Sequence, residues 1–200
     1  MDIAVYGATG AIGSRIVAEA VARGHRVTAV SRHAVEAENV ASLSVDLTDT
    51  AEFVRIAGEH DVVVVSVKPA TAAESYDELI AGHRNLIEAK PSARIFVVGG
   101  AGSLEVEGVQ LKNTPGFPEA YKRGATAMTE ILDLYRASSA VDWTVISPAP
   151  EIGPGERTGS YVLGLDSPVG DRVSHDDFAV AILDELENPR HSGKRFTVAN

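Results

Sequence analysis

Apolar residues along the chain fall into short β-branched runs separated by longer segments in which they recur every three to four positions. The runs Asp2–Tyr6, Arg26–Ser31, Ser42–Val45, Asp61–Val67, Arg94–Val98, Trp143–Ser147 and Arg195–Val198 are strand-sized. Helical periods cover Ala11–Arg23, Thr50–Gly58, Ala73–Lys90, Pro118–Ser138 and His175–Leu186. The stretch Val62-Val63-Val64-Val65-Ser66-Val67 is continuously apolar rather than alternating, as in a strand buried on both faces. Strands that alternate with helices in this way predict an α/β fold. The expected form is a Rossmann-type, doubly wound parallel sheet with helices on both faces, as a single domain over residues 1–200.

Several boundaries carry their own chemistry. Gly24 stops the first helix, Asp49 or Thr48 can cap the second, and Ser174 can cap the last. Pro69 marks a loop and Pro91 a helix end. Two glycine-rich stretches, Gly100–Pro118 and Pro148–Arg172, are only weakly patterned. Each follows a strand, so each is expected at the carboxyl edge, where open α/β sheets bind ligands. The part from about residue 148 onward is expected to complete the substrate side.

Composition narrows the function. With 200 residues, 44% hydrophobic and 23% charged, the chain has the balance of one globular domain. No run approaches the roughly 20 apolar residues of a membrane span. The net charge is −10 and the densest basic patch is Lys122-Arg123, which argues against nucleic-acid binding. There is no cysteine for disulfides or thiolate chemistry. Met1-Asp2 leads straight into a strand pattern without a basic leader, so the expected compartment is the cytoplasm. The histidines (His25, His33, His60, His83, His175 and His191) lack metal-site spacing and are expected mostly on the surface. No metal is predicted.

The sharpest signal is Gly7-Ala8-Thr9-Gly10-Ala11-Ile12-Gly13, between the first strand and the first helix. In a dinucleotide-binding turn Gly7 permits the bend, Gly10 lets the backbone approach a pyrophosphate, and Gly13 packs the helix on the strand. The helix N-terminus then offers unpaired N–H groups and a positive dipole end. The second strand ends in Ser31-Arg32-His33, with no acidic residue to read a ribose 2′-hydroxyl. Arg32 can instead pair with a 2′-phosphate and Ser31 can donate a further hydrogen bond, which favours NADP(H) over NAD(H). Asp46 is placed either to accept from the adenine amino group or to cap the following helix. Lys68 follows the fourth strand at the ligand edge, whereas Arg15 reads as a solvated helix residue.

With those residues in place, the chain resembles the atypical short-chain dehydrogenase/reductase families, among them NADH-flavin reductases and biliverdin-IXβ/flavin reductase. The resemblance spans nearly the whole chain. It rests on the glycine turn, Ser31-Arg32, Val45-Asp46-Leu47-Thr48-Asp49 and Val98-Gly99-Gly100-Ala101-Gly102-Ser103-Leu104. Further support comes from Asp142-Trp143-Thr144, Ser147-Pro148-Ala149, Gly155-Glu156-Arg157-Thr158-Gly159 and Val173-Ser174-His175-Asp176-Asp177-Phe178-Ala179. It implies dinucleotide contacts at Gly7, Thr9, Gly10, Ala11, Ile12 and Gly13, then at Ser31, Arg32, Asp46 and Leu47. It extends them to Val67, Lys68, Gly100 and Pro148, with Ser103 as a pocket hydroxyl and the catalytic candidate. As a plain loop residue Ser103 would cap a turn instead.

The Tyr-x-x-x-Lys pair of conventional short-chain dehydrogenases is absent, since Tyr121 is followed four positions later by Ala125 and Tyr135 by Ser139. Tyr121 itself is expected to pack between helices. A flavin takes hydride directly at its ring, so alignment and water exclusion can supply much of the catalysis. The expectation is therefore an NADPH-dependent reductase acting on a small flat acceptor, a flavin or quinone, as a monomer or homodimer with no membrane or nucleic-acid partner. The alternative is a non-catalytic NADP(H)-binding redox sensor.

Overall fold

The structure, a computed structural model, describes residues 1–33, 40–68 and 76–200. Pro69 and the first part of the expected helix 73–90 lie outside the described residues.

The chain opens with β1 (Asp2–Tyr6), whose alternate side chains enter two different cores. Ile3 and Val5 pack toward α1 (Gly13–Ala22) and α5 (His175–Glu187), while Ala4 and Tyr6 pack toward α2 (Thr50–Gly58), α3 (Tyr76–Ala89) and α4 (Glu119–Arg136). That two-sided burial is why the strands read as continuous apolar runs. The remaining long strands are β2 (Arg26–Ser31), β3 (Ala41–Ser44), β4 (Val62–Val65), β5 (Arg94–Val98), β8 (Trp143–Pro148) and β12 (Lys194–Ala199).

With β10 (Val162–Gly164) they form an eight-stranded sheet in the order β10-β12-β8-β5-β4-β1-β2-β3. All neighbours are parallel except β10, which runs antiparallel to β12 at the edge. From β1 the chain proceeds outward through β2 and β3, then returns to the other side of β1 as β4. The switch point of the doubly wound sheet therefore lies between β1 and β4, and the glycine turn leaves β1 at its carboxyl end.

The weakly patterned stretches hold more structure than their sequence suggests. Beyond β5 come a 3-10 turn at Ala101–Ser103, a small hairpin of β6 (Glu105–Val106) and β7 (Val109–Gln110), and a second 3-10 turn at Leu111–Asn113. Beyond β8, β9 (Glu151–Gly153) pairs in parallel with β11 (Arg172–Ser174). Two-residue and three-residue strands are too short to leave a period in the sequence.

Local chemistry fixes the helix ends. Gly24 adopts a φ of 81° and its N–H bonds to the Val21 carbonyl, closing α1. Asp49 caps α2 by accepting from the Glu52 N–H, and Ser174 caps α5 by accepting from the Asp177 N–H. Two expectations are corrected. Tyr121 is exposed near the start of α4 rather than packed between helices, because the whole first turn there, Pro118 through Arg123, faces solvent. His83 is buried, not superficial: its Nδ1 meets the Tyr135 hydroxyl at 3.0 Å between α3 and α4. His25, His60, His175 and His191 are also partly covered, leaving His33 as the exposed one of the six.

Candidate functional site

The turn after β1 is built on close backbone approaches. A Cβ at Gly7 would stand 2.2 Å from the Ser66 carbonyl oxygen, and one at Gly13 would stand 2.1 Å from the Gly7 carbonyl oxygen. Gly7 also has a φ of 79°. Both glycines are thus demanded by the protein's own packing. Gly10 differs, because a Cβ there would have a single near neighbour, the Gly7 oxygen at 3.2 Å. Its bare face looks onto space that no described residue fills.

Directly behind it, α1 begins at Gly13 with Ile12 in the N-cap position. Among the described residues α1 has no side-chain cap and no acidic residue in its first turn. Helix N-termini ordinarily recruit such groups to satisfy their N–H donors. An uncapped N-terminus beside an unfilled glycine is a cradle for an anion. The turn therefore fits the pyrophosphate of a dinucleotide.

The other residues expected at the site are arranged around the same carboxyl edge. Val67 N would lie 3.3 Å from a Cβ on Gly7, so Val67 and the exposed Lys68 border the turn from the β4 side. Ser31 ends β2, is buried, and donates its hydroxyl hydrogen to the His33 carbonyl. Arg32 is exposed just beyond it. Asp46 Oδ1 accepts from the Thr48 N–H at 2.9 Å and the Thr48 hydroxyl at 2.6 Å. Those two bonds, with help from the Arg32 charge, hold its carboxyl below the usual carboxylate range. The role of α2 cap falls to Asp49, so that reading of Asp46 is corrected. Leu47 is buried beside it.

Further along the edge, Gly100 sits between β5 and its 3-10 turn, with Met128 of α4 across from it. Pro148 closes β8 and pairs with Val198. Ser103 is buried, and its hydroxyl oxygen accepts from Arg195 Nη1 at 3.2 Å.

Two features of the edge escaped the sequence reading. His175, the first residue of α5, is pulled below the usual imidazole range by partial burial and by the nearby charges of Arg15 and Lys68. Arg15 of α1 and Asp176 of α5 approach to 3.7 Å, so the start of α5 stands beside the first turn of α1; the segment from Val173 to Ala179 carries a signal, but not for this histidine. Arg195 and Ser147 form a polar cluster with Ser103, and nothing in a strand of alternating pattern announces a buried arginine. The cavity under β10, about 190 Å³ and lined by Tyr161, Leu163, Asp184 and Phe196 among others, lies away from this edge. Among the described residues no group of histidine and acidic side chains could hold a metal, and no helix is long and apolar enough to cross a membrane.

A doubly wound sheet with a glycine cradle at its switch point is a Rossmann-type nucleotide-binding domain. More narrowly, residues 7–189 match the family described as NAD(P)H-binding, and the chain belongs to that family. Its cofactor class is thus a nicotinamide dinucleotide. The uncharacterized protein YwnB of Bacillus subtilis is 39% identical, with the match covering all of this chain and 99% of YwnB. A Burkholderia pseudomallei structure described as a "putative exported protein" is 38% identical with a TM-score of 0.90, each chain covered in full. A Streptococcus pneumoniae structure described as a "putative NADH-flavin reductase" is 32% identical with a TM-score of 0.87, covering 100% of this chain and 99% of that one.

Proposed function

We propose that this protein is an NADPH-dependent reductase that passes hydride to a flavin, a quinone or a similarly flat acceptor in the cytoplasm. The observation that carries the reading is the bare Gly10 in front of the uncapped N-terminus of α1. Thr9, Gly10, Ala11 and Ile12 hold the pyrophosphate there, with Gly7 and Gly13 shaping the turn. Arg32, at the end of a β2 that carries no acid, receives the 2′-phosphate beside Ser31. Asp46 keeps Oδ2 for the adenine amino group while Leu47 supports the ring. Val67 and Lys68 flank the ribose, and Gly100 and Pro148 bound the nicotinamide end.

The bound dinucleotide would supply the hydride. The chain's own residues then align the acceptor, keep water out and steady the charge that develops on it. No Tyr-x-x-x-Lys pair is needed, because a flat quinoid acceptor takes its proton from solvent. Ser103 supplies a hydroxyl on the acceptor side, and the part from residue 148 onward walls that side. The likeness to a protein described as a flavin reductase supports this choice of acceptor.

The test is stopped-flow oxidation of NADPH and NADH with and without FMN, riboflavin and a short-chain quinone. Acceptor-dependent oxidation, faster with NADPH, is the expected result. Tight NADPH binding without turnover on any of the three would replace this reading with that of a redox sensor, which the missing Tyr-x-x-x-Lys pair also accommodates.

A further inference from the structure

Arg195 lies on β12 with its side chain fully buried, an expensive place for a charge. Its carboxylate partner is Asp166, which accepts from Nε at 2.8 Å and also from Arg136 at 2.7 Å. Nη2 donates to the same Asp166 oxygen at 2.5 Å, and the guanidinium also reaches inward to two serines. Nη1 donates to Ser103 Oγ at 3.2 Å and to Ser147 Oγ at 3.3 Å, and Nη2 donates to the Ser103 carbonyl at 3.3 Å.

A guanidinium can only donate, so both serine oxygens must accept from it. Each hydroxyl therefore keeps its own hydrogen to give elsewhere. Among the described residues neither hydroxyl donates a hydrogen bond, although both serines are buried. Buried hydroxyls ordinarily spend that hydrogen on a neighbour.

Their place in the fold gives the pair a direction. Ser103 ends the 3-10 turn just past β5, and Ser147 is the penultimate residue of β8. The two strands are parallel neighbours, so both serines stand at the carboxyl edge that carries the glycine turn. A Cβ on Gly99 would stand 2.9 Å from Val145 Cγ1 and 3.5 Å from Ser147 Oγ, so the chain leaving β5 packs directly against the end of β8 that carries Ser147.

We infer that Arg195 is a positioning residue that turns Ser103 and Ser147 into a paired donor for an acceptor's carbonyl oxygen. The inference rests on the reductase reading and deepens it. The acceptor takes up a hydride, two electrons with one proton, from the reduced nicotinamide. It thereby gains one negative charge until a second proton arrives from water. Two preset O–H donors backed by a buried cation stabilise that charge where it appears. The acceptor class is thus a planar molecule with a carbonyl conjugated to the hydride-accepting ring, as in quinones and flavins.

The test compares wild type with Ser103→Ala, Ser147→Ala, Arg195→Lys and Arg195→Met on menadione. Riboflavin binding, read by fluorescence quenching with NADP+ present, and NADPH affinity are measured beside turnover. Each serine variant is expected to lose roughly 10- to 100-fold in kcat and to weaken riboflavin binding, with NADPH affinity within twofold of wild type. Arg195→Lys should recover part of what Arg195→Met loses. Unchanged kcat and riboflavin affinity in both serine variants, which alter one atom each and keep the fold, would overturn the pair.

Neutron diffraction from deuterated wild-type crystals reads the same claim without turnover. Both serine deuterons should point away from Arg195 toward the carboxyl edge. A deuteron on either serine held by a backbone carbonyl of the sheet would refute the inference. Outward deuterons in a protein that reduces nothing would count against the reductase reading alone.

Discussion

Asp177 holds Thr158 through both carboxylate oxygens: Oδ1 accepts from the Thr158 N–H at 2.9 Å and Oδ2 from its hydroxyl at 2.7 Å. Gly159 N–H and Asn200 Nδ2 add bonds of 2.7 Å each. Burial alone would raise the Asp177 pKa, yet these bonds keep it below the usual carboxylate range. The loop after β9 is therefore tied to the first turn of α5. Arg157 ties it to α1 as well, through two bonds of 2.8 and 2.7 Å to Glu19.

Removing that carboxylate leaves several donors without a partner. Asp177→Ala is expected to lower unfolding free energy by about 2–4 kcal/mol in urea. The amides of Thr158 and Gly159 should lose hydrogen-exchange protection, and trypsin should cut after Arg157 in the otherwise folded protein. A variant with wild-type midpoint and an uncut loop would show that the clamp does not hold the segment.

The three glycines of the turn should separate by what each protects. Gly7→Ala and Gly13→Ala drive a Cβ into backbone at 2.2 and 2.1 Å, so each should destabilise by about 3 kcal/mol or more. Gly10→Val brings a Cβ to 3.2 Å from the Gly7 oxygen, a tight approach without the overlap at Gly7 and Gly13, so it should cost less stability than either while losing both NADPH and NADH. Calorimetric titration of the folded Gly10→Val variant reads this directly, and retained cofactor binding would move the pyrophosphate elsewhere.

Acid should weaken the fold through His83. Burial lowers its pKa from 6.5 to about 4, so the folded state keeps the ring neutral where the unfolded chain protonates it. The unfolded state binds more protons in that interval, and stability falls as pH drops from about 6.5 toward 4. The full loss amounts to about 3 kcal/mol. Between pH 6.5 and 5, above the range of the buried carboxylates Asp177 and Glu185, His83→Gln should flatten the dependence of unfolding midpoint on pH. Parallel slopes for variant and wild type would assign the acid sensitivity to another group.

How much of this was readable beforehand follows from which forces leave a pattern. β1, β2, β5 and the capped starts of α2 and α5 are legible because burial on both faces and cap chemistry each mark the residues concerned. Gly7, Gly10 and Gly13 are legible because their spacing lies between a strand and a helix. The edge strand β10 is not, since its three residues, Val162–Gly164, are too few to carry a period. Arg195 is hidden for a different reason. Its burial depends on Asp166, Ser103 and Ser147, which come from three distant parts of the chain and meet only in the folded sheet. His83 reads as a surface residue in the sequence; its burial against Tyr135 becomes visible only once α3 and α4 pack together.

The account centres on a dinucleotide whose 2′-phosphate meets Arg32 at the end of β2. The most direct measurement is fluorescence titration of NADPH and NADH into wild type and Arg32→Ala. Wild type should prefer NADPH, and the variant should lose roughly 10- to 100-fold in NADPH affinity, the loss of a charge-assisted pair, while NADH affinity changes by less than about threefold. Equal losses for both nucleotides, or no preference in the wild type, would contradict the claim that Arg32 reads the phosphate.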